Sequence, residues 1–155
     1  MNEEQFERIR LMFAAYMQER NLRKTPERYA ILREIYYQNI HFNVESLYVM
    51  MKEKNYRVSR ATIYNTLDLL VDSNLVAKHQ FGNNVAQFEK SFGFKQHDHI
   101  ICTNCGKVLE FCDPRIQNIQ RMVEEIYQFK ISSHSLNFYG VCGTPECASH
   151  KKITQ

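Results

Sequence analysis

Nine consecutive residues, HDHIICTNC (97–105), present four side chains able to bind a metal ion: His97, His99, Cys102 and Cys105. A second cysteine pair, Cys142 and Cys147, follows within GVCGTPEC. Cysteines separated by two to four residues suit tetrahedral zinc, because one short turn aims both sulfurs at a single ion. Asn104 and Gly106 fit the first turn; Gly143 and Pro145 fit the second, wider one. A redox CxxC would need a following helix and an exposed thiolate, whereas Cys105 leads into Gly106 and a strand-like run. The expectation is one structural Zn(II) per subunit on Cys102, Cys105, Cys142 and Cys147. Such a site contributes about 10–16 kcal/mol of apparent binding free energy. Cys112 is left over. It is expected to be a buried strand residue, or a substitute ligand should Cys147 prove out of reach.

With four thiolates on one ion, His97 and His99 are available for another. Residues two apart on a strand share a face, so both imidazoles can converge. Two imidazoles need further ligands, and His41, Glu89 and Glu110 are the candidates. Imidazole and carboxylate together suit iron, manganese or zinc and exchange more readily than four thiolates. Asp98 points to the other strand face, where it joins a further site with His134 or is simply solvated.

These side chains need elements to position them. Phe6, Ile9, Phe13 and Met17 recur at helical spacing and predict a first helix ending near Asn21. Thr25-Pro26 opens a second, with Ile31, Leu32 and Ile35 as its inner stripe. A third starts near Asn43 with Leu47, Met50 and Met51 inside. Ser59 caps a fourth, with Ile63, Leu67 and Leu70 inward. Two strand-like runs, VAKHQF (76–81) and VAQFE (85–89), flank Gly82-Asn83-Asn84 and predict a hairpin. Helices followed by a small hairpin form a winged helix-turn-helix. KSFGFKQ (90–96) has no period and reads as a linker. Beyond it, HDHIICT and VLEFC read as strands. Pro114 opens a helix with Ile116, Ile119, Val123 and Ile126 on one face, and FKISSHSLNFYGVC reads as a final strand. The fold class is α+β: a winged-helix domain at 1–89, a hinge at 90–96, and a small α/β domain at 97–155. The second domain is short enough to need a metal staple or a partner subunit.

The fourth helix turns Arg60, Tyr64, Asn65 and Asp68 away from its apolar stripe. Exposed Tyr beside Asn, Arg and Thr62 suits groove reading. Residues 54–67 carry Lys54, Arg57 and Arg60 without an acid, and NLRKTP (21–26) adds Arg23 and Lys24. Net charge is only +3, so the local patch matters more than the total. No run of about 18 apolar residues occurs, so no membrane helix is expected. The polar N-terminus, MNEEQFERIR, does not read as a secretory signal. All five cysteines lie after residue 100, four of them in two clusters, as metal sites in a reducing compartment would. A cytoplasmic location is expected.

TPERYAIL, ESLY, SRATIYNTLDLL, HDHIICTNCGKVLEF and HSLNFYGVC, in that order, resemble the ferric uptake regulator family from about residue 10 to 150. The resemblance implies a homodimeric repressor with an N-terminal winged helix and a C-terminal dimerisation domain, bound to a pseudo-palindromic double-stranded DNA operator. It implies structural zinc on Cys102, Cys105, Cys142 and Cys147, and a regulatory metal on His41, Glu89, His97, His99 and Glu110. Asp98 and His134 would be the remnant of an additional site, since Gln96 and Gln117 stand where many iron regulators carry histidine and glutamate. Tyr64 would contact DNA from the recognition helix, and Arg23, with Lys24 nearby, the minor groove. Arg57, Arg60, Thr62 and Asn65 complete the expected DNA face.

Within the family, Glu89 and Glu110 favour an Fe(II)-responsive regulator of iron uptake, with Mn(II) or Zn(II) as alternative ions. Peroxide sensors typically use Asp at both places, though Asn65 resembles that branch. Zinc-uptake regulators usually carry Cys at the place of Glu89. A metalloenzyme with Glu89 or Glu110 as general base is the competing class. It is disfavoured because the ligands come from separate units and no further acid, base or nucleophile motif accompanies them. A zinc-stapled protein-interaction module would not need the exposed Tyr64–Asn65 face.

Overall fold

The computed structural model describes residues 2–38, 41–80, 86–93, 96–143 and 147. The chain divides into two units, Met1–Phe94 and Lys95–Gln155.

The first unit contains α1 (Glu3–Glu19), α2 (Pro26–Tyr37), α3 (Val44–Glu53), α4 (Arg60–Asp72), β1 (Val76–His79) and β2 (Gln87–Lys90). α2, α3 and α4 start where Thr25-Pro26, Asn43 and Ser59 predict. Asn2 with Gln5, and Asn43 with Ser46, form reciprocal capping boxes. The Ser59 side chain accepts from the Thr62 N–H. Thr25 sits at the N-cap of α2 without a side-chain bond, leaving Pro26 as the start signal.

Three helices also stop by one device. Asn21, Asn55 and Asn74 follow α1, α3 and α4 with φ of 54°, 61° and 56°. Asparagine tolerates this left-handed region better than most residues. The next residues, Leu22, Tyr56 and Leu75, donate N–H bonds back to Met17, Met51 and Leu70 at 2.8, 3.0 and 2.9 Å. That is the Schellman pattern, and in each case it joins two apolar residues across the helix end.

The core lies among α1–α4 and the hairpin. Phe13, Met17, Ile31, Leu32, Leu47, Met51, Ile63 and Leu70 are completely buried. Met50, expected inside, is partly buried against this core. Tyr36 is buried too, and its hydroxyl donates to the Leu75 carbonyl at 2.6 Å. Burial pushes that phenol well above its usual range. Tyr36→Phe leaves the carbonyl its second donor, the Ser91 N–H at 3.1 Å. The expected cost is therefore one net hydrogen bond, about 1 kcal/mol, and not that of an orphaned carbonyl. Urea unfolding should show a lower midpoint with unchanged slope.

β1 and β2 pair antiparallel, with Ala77 opposite Glu89 and His79 opposite Gln87. The expected turn, Gly82-Asn83-Asn84, lies outside the described residues. Phe42 adds an isolated bridge to Phe88, with both backbone bonds made. The segment expected as a linker from residue 90 is partly structured. Lys90 closes β2 and donates to the Tyr36 carbonyl, Ser91 bonds to Leu75 and Asn74, and Phe92 packs on the core.

The second unit contains β3 (Asp98–Cys102), β4 (Val108–Phe111), α5 (Pro114–Tyr127) and β5 (Asn137–Gly140). Strand order is β4-β3-β5, with β4 antiparallel and β5 parallel to β3. The final strand is shorter than the expected run from Phe129; only Asn137–Gly140 pairs. The expected stripe of α5 splits: Ile116 and Val123 are half-buried, while its other two members face outward. Ile119 and Ile126 are 59% and 66% exposed, and Phe138 and Tyr139 on β5, with Val141 just beyond it, are exposed as well. Periodicity identifies an apolar face, not what covers it. No helix is long and apolar enough to cross a membrane.

Candidate metal centres and nucleic-acid interface

β3 ends in Cys102, and a turn through Gly106 (φ 74°) brings Cys105 back beside it. The parallel pairing of β5 with β3 carries Cys142 to the same end. The four sulfurs of Cys102, Cys105, Cys142 and Cys147 all lie within 4.8 Å of one another. Cys102–Cys147 and Cys105–Cys142 are 3.5 and 3.6 Å apart. Zn–S bonds of about 2.3 Å in a tetrahedron place sulfurs about 3.8 Å apart, so the donor set fits zinc. Backbone N–H donors, Cys142 first and then Cys105, bring the Cys102 thiol down to about 5. Cys147 is pushed up to about 12: the Asn104 amide pulls it down, but the Cys142 thiol, burial and the other thiols outweigh it. Opposed shifts of this kind mark thiols crowded on one point. Cys112 is not buried, contrary to expectation. It lies just beyond β4, is exposed, and contacts the Gln96 carbonyl at 3.6 Å.

In the first unit, the Phe42–Phe88 bridge sets His41 next to Glu89, and His41 Nε2 is 3.1 Å from Glu89 Oε2. In the second unit, His97 and His99 bring their rings to 4.9 Å, as two-residue strand spacing requires. Glu110 pairs across from His99, and its carboxylate is 3.9 Å from His97 Nε2. Each unit thus presents imidazole and carboxylate together, a donor set suited to an exchangeable divalent ion. Sequence reasoning missed His79, whose Nε2 is 2.6 Å from Glu89 Oε1. Only the hairpin register could have revealed it, and the turn composition does not fix that register.

Asp98 is buried, so the solvated alternative fails. Its Oδ1 is 3.3 Å from His134 Nε2 and accepts the Leu136 N–H. Gln120 meets His134 Nδ1 at 3.2 Å, and the Gln96 amide donates to the His134 carbonyl.

On α4, Tyr64 is 54% exposed and Asn65 and Asp68 face out with it, while Ile63, Leu67 and Leu70 are buried. Arg57, Thr62 and Asn65 line a cleft of ≈ 470 Å³ with Thr25 and Arg28 at the start of α2. Arg28, which sequence reasoning also missed, donates to the Arg23 carbonyl. Arg23 and Lys24 are exposed, and Lys24 reaches Gln18. Arg60 does not simply project: it makes two bonds to Glu45, at 2.7 and 2.6 Å, and stacks over Tyr48. Thr62 is partly occupied by its bond to Ser59.

A winged helix followed by a small sheet unit with a four-thiolate cluster defines a metal-binding protein built on a DNA-binding fold. The ferric uptake regulator family matches residues 19–139. The chain belongs to that family, whose members are metal-dependent, dimeric, DNA-binding transcription regulators. It is 35% identical to the ferric uptake regulation protein of Campylobacter jejuni over 90% of this chain and 88% of that one. It is 32% identical to a peroxide-responsive repressor of Staphylococcus aureus over 83% and 85% of the two chains. Among solved structures, the Helicobacter pylori ferric uptake regulator superposes with a TM-score of 0.79 at 28% identity, covering 96% of this chain and 95% of that one.

Proposed function

We propose that this protein is a cytoplasmic, homodimeric, Fe(II)-responsive repressor of iron-uptake genes, with no catalytic role of its own. Cys102, Cys105, Cys142 and Cys147 hold one structural Zn(II) per subunit. His41 and Glu89 from one unit, with His97, His99 and Glu110 from the other, supply ligands to one regulatory ion. Fe(II) is the first choice there, and Mn(II) or Zn(II) are competent substitutes by donor type. Bound metal supplies the differential affinity that favours the arrangement able to bind DNA. Residues 1–89 then act as the DNA-binding domain, 90–96 as the hinge, and 97–155 as the dimerisation domain. The exposed apolar side chains of α5 (Ile119, Met122, Ile126) and β5 (Phe138, Tyr139) support a partner subunit on that domain. Asp98 and His134 are read as a hydrogen-bonded pair, because Gln96 is committed to the His134 carbonyl.

The observation that carries this reading is the sorting of donors. Four sulfurs gather on one another, while imidazoles and carboxylates gather elsewhere. A gel shift on a pseudo-palindromic operator, with and without divalent metal, tests it. Metal-dependent retardation is expected; an enzyme would instead turn over a substrate, and an interaction module would ignore the DNA. Half-sites are expected about one helical turn, roughly 34 Å, apart or at a multiple of that.

The DNA contacts are proposed for Tyr64 and Asn65 on α4, Arg57 and Thr62 beside them, and Arg23 and Lys24 for the minor groove. Arg60 joins only by leaving Glu45. Tyr64→Ala is expected to weaken operator binding by about 1–3 kcal/mol, roughly 5- to 150-fold, with metal content unchanged. Fluorescence anisotropy against metal analysis would check both. Asn65 keeps the peroxide branch as the second reading, in line with the similarity to a peroxide-responsive repressor. A peroxide-induced gain of one oxygen on a sensing histidine would select it.

A further inference from the structure

His79 closes β1 and has no role in the reading above. Its Nε2 stands 2.6 Å from Glu89 Oε1, while His41 Nε2 stands 3.1 Å from the other oxygen, Oε2. The pairing explains this three-residue line. Phe42 opposite Phe88 sets His41 beside Glu89. Ala77 opposite Glu89 puts His79, two residues further along β1, on the same face and diagonal to it. Diagonal neighbours of this kind lie within reach of long side chains. The His41 and His79 rings are 6.3 Å apart, with the carboxylate between them. None of the three side chains is more than 18% exposed.

We propose that His79 is a positioning residue for the regulatory metal site: its ring holds Glu89 Oε1 so that Oε2 stays turned toward His41. This rests on the reading of His41 and Glu89 as metal ligands. An ionised carboxylate only accepts, so Nε2 of His79 carries the proton in this bond. That nitrogen is therefore committed to Glu89 and is not itself a ligand. A charge-assisted bond between half-buried partners is stronger than one between neutral groups. It removes the rotation that a lone carboxylate would have to give up when it captures an ion. Outer partners of metal ligands typically contribute about 10–100-fold to metal affinity.

The test is cobalt(II) titration of full-length, zinc-loaded wild type, His79→Ala and His79→Gln, read by visible absorption. His79→Ala is expected to bind the second-site cobalt about 10–100-fold more weakly, with a changed saturated spectrum. His79→Gln, which keeps an N–H donor, is expected to recover most of the affinity and the wild-type spectrum. Wild-type affinity and spectrum in His79→Ala would overturn the proposal. So would weaker binding with an unchanged saturated spectrum and no rescue by glutamine, the behaviour of a mere strand staple. If wild type takes up no cobalt beyond its zinc, the ligand assignment falls first, and the role of His79 with it.

Discussion

His97→Ala and His99→Ala are each expected to abolish metal-dependent operator binding while leaving one zinc per chain. The geometry of the site dictates this. His99 is buried and lies opposite Glu110, and the His97 ring stands edge-on to it with centroids 4.9 Å apart. The sulfur cluster has bonds of its own, among Cys102, Cys105, Cys142, Cys147 and Asn104. Removing one imidazole leaves two imidazoles and two carboxylates, one ligand short of the proposed set, so the ion is held more weakly and with less selectivity. Moving a two-state equilibrium from one per cent to ninety-nine takes roughly 10⁴-fold differential affinity, about 5.5 kcal/mol. A site missing a principal ligand cannot supply it. Inductively coupled plasma analysis should find zinc retained in both variants, and gel shifts should show no response to added Fe(II) or Mn(II). Loss of zinc in either variant would mean that the two donor sets are not separate.

Cys102→Ser is expected to have the largest structural effect: loss of zinc and unfolding of the second unit with the first unit left folded. Cys102 is 96% buried, and its sulfur meets Cys147, Cys142 N–H and the turn to Cys105. A four-thiolate zinc supplies about 10–16 kcal/mol of apparent binding free energy, and small domains have a net stability of about 5–15 kcal/mol. Losing the ion therefore removes about as much as the unit has. α5 contributes no buried residue that could compensate. The first unit has its own core of Phe13, Leu32, Leu47, Ile63 and Leu70, so much of the helical circular dichroism should survive. Cys112→Ser is the control: exposed and outside the cluster, it should keep its zinc and its fold.

Much of this was legible because the signals were local. Ser59 and Asn43 mark helix starts through bonds made within three residues, Pro26 does so through its fixed φ, and Cys102-x-x-Cys105 closes its own turn. His97 and His99 share a face by strand geometry alone. What escaped was non-local. His79 joins Glu89 only through the hairpin register. The outward turn of Ile119 and Ile126 depends on what lies across from α5, which periodicity does not encode. Cys112 reads as apolar by residue type, but it falls one step beyond β4, where the chain leaves the sheet. Arg60 reads as a free cation on the helix face, yet Glu45 and Tyr48 on α3 hold it. The Asn21 stop was read from the sequence, and those at Asn55 and Asn74 were readable the same way, each an asparagine followed by an apolar residue at the end of a helical stripe.

The most direct measurement is metal stoichiometry per chain followed through graded chelation, with operator affinity recorded at each step. Two equivalents are expected. Mild chelator should strip one and abolish DNA binding together, and the other should persist until the second unit unfolds. Uptake of a single equivalent under every condition, with undiminished operator binding in strong chelator, would contradict the division between a structural and a signalling ion.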